Sequence, residues 1–140
     1  MATHAGTTIG SNTPTCQVVR AADAYQGQQG LNYFAGVSAE TVGARGLCMH
    51  LVKLPPGTRA KAHLHAEHET AAYVVYGDIE LLHGDQLQHS AMVHAGEFLY
   101  IPAGVPHLPL NPGTTEALAV LARTDPNEQE SVQLLPGLEA

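Results

Sequence analysis

The sequence predicts an all-β protein built as an antiparallel sandwich or barrel. Turn signals that contain glycine recur at short intervals in the second half of the chain, at 77–78, 84–85, 95–96, 102–104 and 111–113. The segments between them are short and rich in apolar residues, which is typical of strands in sandwiches and barrels. No segment has the periodicity of a long amphipathic helix, so we expect little helix.

The predicted strands follow one another along most of the chain. The clearest one covers 45–54, because apolar side chains occupy both of its alternating faces. The Pro-Pro-Gly sequence at 55–57 must end it, since prolines remove the hydrogen-bond donors of a ladder. Further strands are predicted at 17–20, 31–37, 71–76, 79–83, 87–94, 98–101, 105–110 and 116–123.

The length predicts a single domain, because 140 residues can bury one core but not two. Residues 1–15 are small and polar without periodicity, so we expect a flexible N-terminal arm there. The barrel domain is predicted at 16–125 and a C-terminal tail at 126–140. Apolar residues at 132–136 could add an edge strand or pack across a neighbouring molecule.

The composition disfavours several classes of function. The formal net charge of -7 argues against nucleic acids and anionic membranes, since both require a basic surface. No apolar run approaches the roughly 20 residues that span a bilayer, and the N-terminus lacks the pattern of a secretion signal. We therefore expect a cytoplasmic protein with Cys16 and Cys48 reduced. No phosphate loop, dinucleotide fingerprint or serine-hydrolase motif is visible.

The stretch 57–77 concentrates side chains that bind metals. His63 and His65 are separated by one residue, so on a strand both point to the same face. Neutral imidazole is a common metal ligand, and a carboxylate from Glu67 or Glu69 could complete a reactive centre. Four other histidines are expected to be surface or strand residues: His50, His83, His89 and His94.

A second histidine motif lies at 96–111. It reads glycine, five residues, Pro-x-Gly, two residues, histidine, three residues and asparagine, with His107 after the turn and Asn111 at its end. This order resembles the second motif of the cupin superfamily, whose members are small jelly-roll barrels, also called double-stranded β-helices.

The first cupin motif is also present, in part. That motif reads glycine, five residues, His-x-His, three or four residues, glutamate, six residues and glycine. Four of its positions are filled, by Gly57, His63, His65 and Gly77. The resemblance therefore covers about 47–123, most of the chain.

The resemblance implies that one divalent metal ion is bound inside the barrel mouth, with further positions open to water or substrate. The implied ligands are His63, His65, Glu69 and His107.

The position of the glutamate is ambiguous. Counting forward from His65 gives Glu69, whereas counting back from Gly77 gives Thr70. Threonine is a poor metal ligand, so we expect Glu69 and one extra residue, a bulge. Glu67 and His68 are alternatives. On an unbroken strand Glu67 and Glu69 would share the histidine face and His68 would point away.

Three imidazoles and a carboxylate would leave a divalent ion with a net positive charge that polarises a bound oxygen atom. Such a set is typical of a catalytic site and is compatible with iron, manganese, nickel, zinc or copper. The first hypothesis is an oxygenase of the dioxygenase type that acts on a small organic molecule. Besides the ligand Glu69, the catalytic candidates are Glu67 or Glu97 as a base and Tyr73 or Tyr100 for substrate placement.

Because a fold does not fix a reaction, two alternatives stay open. One is a redox-neutral isomerase or lyase, and the other is a binding protein without turnover. We also expect a homodimer, since an N-terminal strand of a second copy could cover the open sheet edges of a short sandwich.

Overall fold

The computed structural model describes residues 13–20, 25–27, 29–127 and 132–139, and these form two antiparallel β-sheets. In spatial order the six-stranded sheet contains β1 (Tyr25–Gln26), β2 (Asn32–Val37), β3 (Cys48–Leu54), β10 (Ala117–Arg123), β5 (Thr70–Tyr76) and β8 (Phe98–Ile101). The five-stranded sheet contains β11 (Val132–Leu134), β4 (His63–His65), β9 (His107–Leu110), β6 (Asp78–His83) and β7 (His89–His94). The predicted all-β jelly roll is confirmed.

Two local features differ from the predicted strands. Residues 17–20 are irregular rather than a strand, and a short helix, α1 (Ala39–Val42), follows β2. A reciprocal cap holds the start of this helix. The Ser38 side chain accepts from the Thr41 N–H at 3.3 Å, and Thr41 Oγ1 accepts from the Ser38 N–H at 2.9 Å. Four residues are too few to give a helical periodicity in the sequence.

The hydrophobic core is formed by the alternate residues of strands that face inward. On β3 and β10 these include Val52, Leu54, Ala117 and Ala119. The other members are Leu31, Tyr33, Ala60, Val74, Ile79 and Val93. Because every second side chain of a strand shares a face, this alternation buries the core and leaves the other face for solvent.

The chain passes from one sheet to the other at Gly77, between β5 and β6. Gly77 has a φ of 81°, in the region that favours glycine. A β-carbon at this position would lie 2.6 Å from the Cα of Ala117. The glycine of the first motif is therefore required by close packing of the turn against β10.

The segment 132–139, part of the predicted C-terminal tail, lies beside β4. Strand β11 pairs with β4 over its full length, with Val132 opposite His65 and Leu134 opposite His63. The Leu135 N–H donates to the Ala62 carbonyl at 2.8 Å, and the Ala62 N–H donates to a Glu139 carboxylate oxygen at 3.2 Å. This part of the tail adds an edge strand to the sheet.

Cys16 is exposed and Cys48 is buried, and neither forms a disulfide bond. None of the helices in the described part of the chain has the length and apolar character needed to cross a membrane.

Candidate metal centre

Three buried histidines converge between two neighbouring strands. His63 and His65 lie on the same face of β4, and His107 begins β9 directly opposite His63 in the ladder. One nitrogen from each ring belongs to a group of atoms that all lie within 4.8 Å of one another. The His63 and His107 ring centroids are 4.3 Å apart. The structure thus brings together the three histidines that the sequence motifs single out.

Backbone carbonyls orient two of these rings. The Nδ1–H of His63 donates to the Lys61 carbonyl at 2.7 Å, and the Nδ1–H of His107 donates to the Val105 carbonyl at 2.9 Å. Since a carbonyl only accepts, the proton of each neutral ring must lie on Nδ1. This leaves the Nε2 lone pair of both rings available for a metal, the arrangement found in most histidine-ligated centres.

Burial keeps the three rings neutral. Loss of hydration lowers the pKa of His63 to about 3 and that of His107 to about 4. The pKa of His65 is lowered as well, first by burial and then by the positive charge of Arg123. All three imidazoles are therefore in the form that binds a metal at neutral pH.

The donor set fits a divalent transition metal. Besides the two oriented rings, the buried Nδ1 of His65 has no hydrogen-bond partner among the described residues. A buried polar atom without a partner is costly unless something else satisfies it. Three imidazole donors that would leave open positions are typical of catalytic rather than structural metal sites.

Glu69, the predicted fourth ligand, does not belong to the group of three ligand atoms. Its side chain is exposed, and its Oε1 accepts a hydrogen bond from the Tyr100 hydroxyl at 2.7 Å. Strand β4 ends at His65, and the chain turns before β5 begins at Thr70. The alternation of side chains does not continue across that turn, so Thr70 is buried in the position expected for the glutamate.

The other predicted catalytic side chains also lie outside the cluster. Glu67 is exposed, and Tyr73 faces outward and packs against Phe98, with ring centroids 4.9 Å apart. Glu97 is exposed and accepts from the His94 N–H at 2.7 Å. Tyr100 is exposed as well, because alternate residues of β8 face solvent.

His68 is buried, contrary to the direction expected on an unbroken strand. Its ring lies beside that of His65, with centroids 4.6 Å apart, but it does not belong to the group of three ligand atoms. Its Nδ1 lies 3.7 Å from a carboxylate oxygen of Asp125.

A cavity adjoins the histidines in the space between the sheets. Its volume is about 50 Å³, which is room for roughly three or four waters. His63 and His107 lie in its wall, together with Thr70 and Arg123. Most of the remaining wall is apolar and comes from the core strands, as in most small-molecule sites.

A buried polar group at this cavity was missed by the sequence interpretation. Arg123, at the end of β10, donates from Nε to Thr70 Oγ1 and from Nη1 to His50 Nε2, both at 3.3 Å. Burial and the nearby guanidinium lower the pKa of His50 to about 3. Burial raises the pKa of Tyr33 to about 12, although a hydrogen bond to Arg123 opposes the rise.

The sequence feature that could have revealed this group is the alternation of inward and outward side chains along a strand. Arg123 continues the inward series of Ala117, Ala119 and Leu121, and His50 lies between the inward Cys48 and Val52.

Several solved structures share the fold. An oxalate oxidase in complex with the substrate analogue glycolate is 24% identical, with a TM-score of 0.65, over 78% of this chain and 57% of that one. The polyketide cyclase RemF from Streptomyces resistomycificus is 23% identical, with a TM-score of 0.64, over 84% of this chain and 76% of that one. A Lactobacillus farciminis oxalate decarboxylase, as a formate complex, is 17% identical, with a TM-score of 0.67, over 81% and 33% of the two chains.

The chain thus spans just over half of the oxalate oxidase chain. No curated protein matches its sequence. The family model described as "Cupin domain" matches residues 50–122, just over half of the chain and the part that carries all three histidines. The chain therefore belongs to the cupin family.

Proposed function

We propose that this protein is a metal-dependent enzyme that acts on a small organic molecule, with oxygenase chemistry of the dioxygenase type as the first candidate. The observation that carries the proposal is the group of three neutral imidazoles, two of them in the wall of a mostly apolar cavity. A site that combines open metal positions with a small, mostly apolar cavity can bind both a substrate and a second small reactant.

The residues of the site have separate roles. His63, His65 and His107 would hold one divalent ion, and the carbonyls of Lys61 and Val105 keep two of the rings in the correct orientation. When bound, the ion would supply Lewis acidity and, for a redox-active metal, the means to activate dioxygen. The cavity wall is mostly apolar, and electrostatic interactions are stronger in such surroundings than in bulk water.

The names of the structural neighbours support a small-molecule cupin. They include an oxalate oxidase, an oxalate decarboxylase and a polyketide cyclase. A redox-neutral isomerase or lyase is the second candidate, because a donor set without a carboxylate is also a set that zinc accepts.

Elemental analysis of the isolated protein, paired with oxygen-electrode traces against small phenols, diketones and carboxylic acids, tests the proposal. We expect about one metal ion per chain and, for the first candidate, oxygen uptake that depends on substrate. Zinc without oxygen uptake would select the second candidate. A protein that binds no metal even after supplementation would overturn both.

We also propose a homodimer. The outer face of the six-stranded sheet exposes large apolar side chains, which is typical of interaction surfaces: Met49, Tyr73, Val75, Phe98 and Tyr100. Sedimentation should give a dimer for the native protein and a monomer for Phe98→Asp, because Phe98 is 79% exposed in this patch. The control Met92→Asp, on the other sheet, should remain dimeric. A monomeric native protein would contradict the proposal.

A further inference from the structure

A cationic side chain lies inside the barrel, next to the candidate metal centre. Arg123 is only 4% exposed, and it lines the same cavity as His63 and His107. Its position is fixed by contacts with Thr70 and His50 at 3.3 Å. A fixed guanidinium has little conformational freedom left to lose when it engages a further group.

Arg123 is the one charged side chain among the described residues of the cavity wall. None of the described residues in the wall is an aspartate or a glutamate, while Arg123 is always protonated. The histidines are neutral, so a bound divalent ion would add its full charge to that of Arg123. In an apolar cavity such charges act over a low dielectric, and they favour a negatively charged ligand over a neutral one of the same shape.

The dimensions of the cavity limit that ligand. A volume of about 50 Å³ admits only a few non-hydrogen atoms. Among small anions, carboxylates match the planar fork of a guanidinium, because two parallel N–H···O bonds can form. Thr70, whose hydroxyl accepts a hydrogen bond from Arg123 at 3.3 Å, lies in the same wall.

We propose that the substrate is a small carboxylate whose anionic group is held by Arg123, so that the rest of the molecule faces the three histidines. This inference rests on the proposed function, since it names the substrate class of the same site. Arg123 is then a specificity-determining residue rather than part of the metal centre. Its place at the end of β10, opposite Thr70 in the ladder, makes it part of the rigid sheet.

Thermal unfolding and calorimetric titration of the metal-loaded protein test the proposal, with glycolate and acetate as probes and the corresponding amides as neutral controls. The carboxylates should raise the melting temperature and the amides should not, because only the former carry a charge. Arg123→Gln should weaken carboxylate binding at least about tenfold, as expected when a charge-assisted pair is lost. Arg45→Gln, at an exposed position outside the cavity, should bind as the native protein does.

Arg123→Lys serves as the second variant if Arg123→Gln does not fold. It keeps the charge but loses the planar fork, so we expect binding between those of the native protein and Arg123→Gln. Equal stabilisation by amides and carboxylates in the native protein, or undiminished carboxylate binding by both Arg123 variants, would overturn the proposal.

The metal content of the same samples separates this proposal from the proposed function. A protein that holds its metal and converts a neutral substrate, but does not bind carboxylates, would refute only the proposed substrate class. A protein that binds carboxylates through Arg123 but binds no metal would refute the proposed enzyme function. It would instead be an anion-binding barrel.

Discussion

At the scale of single residues, the centre depends on imidazoles that are held neutral and in one tautomer. Replacement of His63 by alanine removes one of three donors together with its bond to the Lys61 carbonyl. We expect His63→Ala to lose most of its metal, as measured by elemental analysis after dialysis. His89→Ala should keep its metal, because His89 is exposed on β7. Equal metal content in the two variants would refute the site.

The role of Glu69 gives a second test at this scale. Its bond to the Tyr100 hydroxyl raises the pKa of that phenol above its usual 10.0. Glu69→Gln should leave the metal content unchanged and bring the Tyr100 pKa back down, as followed by ultraviolet titration. Glu67→Gln should change neither quantity, since Glu67 is exposed and its carboxylate is not a partner of Tyr100. Loss of metal from Glu69→Gln would restore Glu69 as a ligand.

Glu69 also shows where prediction from the sequence reaches its limit. The two counts, forward from His65 and back from Gly77, disagreed by one residue, and residue chemistry favoured the carboxylate over Thr70. In the structure the inward-facing position is Thr70, as the count back from Gly77 gives. The reason is that side chains alternate without a break along β5 but not across the turn after β4. Side-chain direction after a turn depends on backbone angles that composition does not reveal.

At the scale of elements, most strands were predictable to within a few residues. Their glycine-rich turns and apolar alternation are local properties, as on β3 and β8. The pairing partners were not predictable, because they depend on contacts between distant parts of the chain. Arg123, for example, meets Thr70 only because β10 lies between β3 and β5. The three histidines were found because a spaced motif, unlike a packed cavity, is visible in one sequence.

The turn at Gly77 provides a test of an element boundary. Gly77→Ala should lower the free energy of unfolding by about 2–4 kcal/mol, from the cost of a positive φ and of overpacking against Ala117. Gly46→Ala is the matched control, since among the described residues only its chain neighbours have atoms within 4 Å of its new β-carbon. Urea unfolding measures both variants. Equal stability of the two would show that the turn can move away from β10 at little cost.

At the scale of the whole molecule, buried histidines make the metal-free protein sensitive to acid. The pKa values of His50 and His63 are lowered to about 3 and that of His107 to about 4, and the pKa of His65 is lowered too. In the unfolded chain each would titrate near its usual 6.5, so below that pH the unfolded state binds more protons than the folded state. Stability is therefore fully present above about pH 6.5 and falls as the pH decreases towards 4.

Urea unfolding of the metal-free protein at several pH values between 7 and 5 measures this effect. Each histidine contributes a slope of up to about 1.4 kcal/mol per pH unit below 6.5. His50→Gln should remove about one of the four protons taken up on unfolding, while leaving the three metal donors in place. Constant stability from pH 7 to 5 would contradict the assignment of these rings as neutral in the folded protein.

The pairing of β11 with β4 has a consequence for how the molecule is made. The strand that carries His63 and His65 has β11 along one edge, and β11 is the last of the described strands in the chain. On the ribosome β4 emerges well before β11, so throughout that interval one edge of the ligand strand has no neighbour. The second edge of the ligand strand is therefore covered only after β11, which follows β10 in the chain, has left the ribosome.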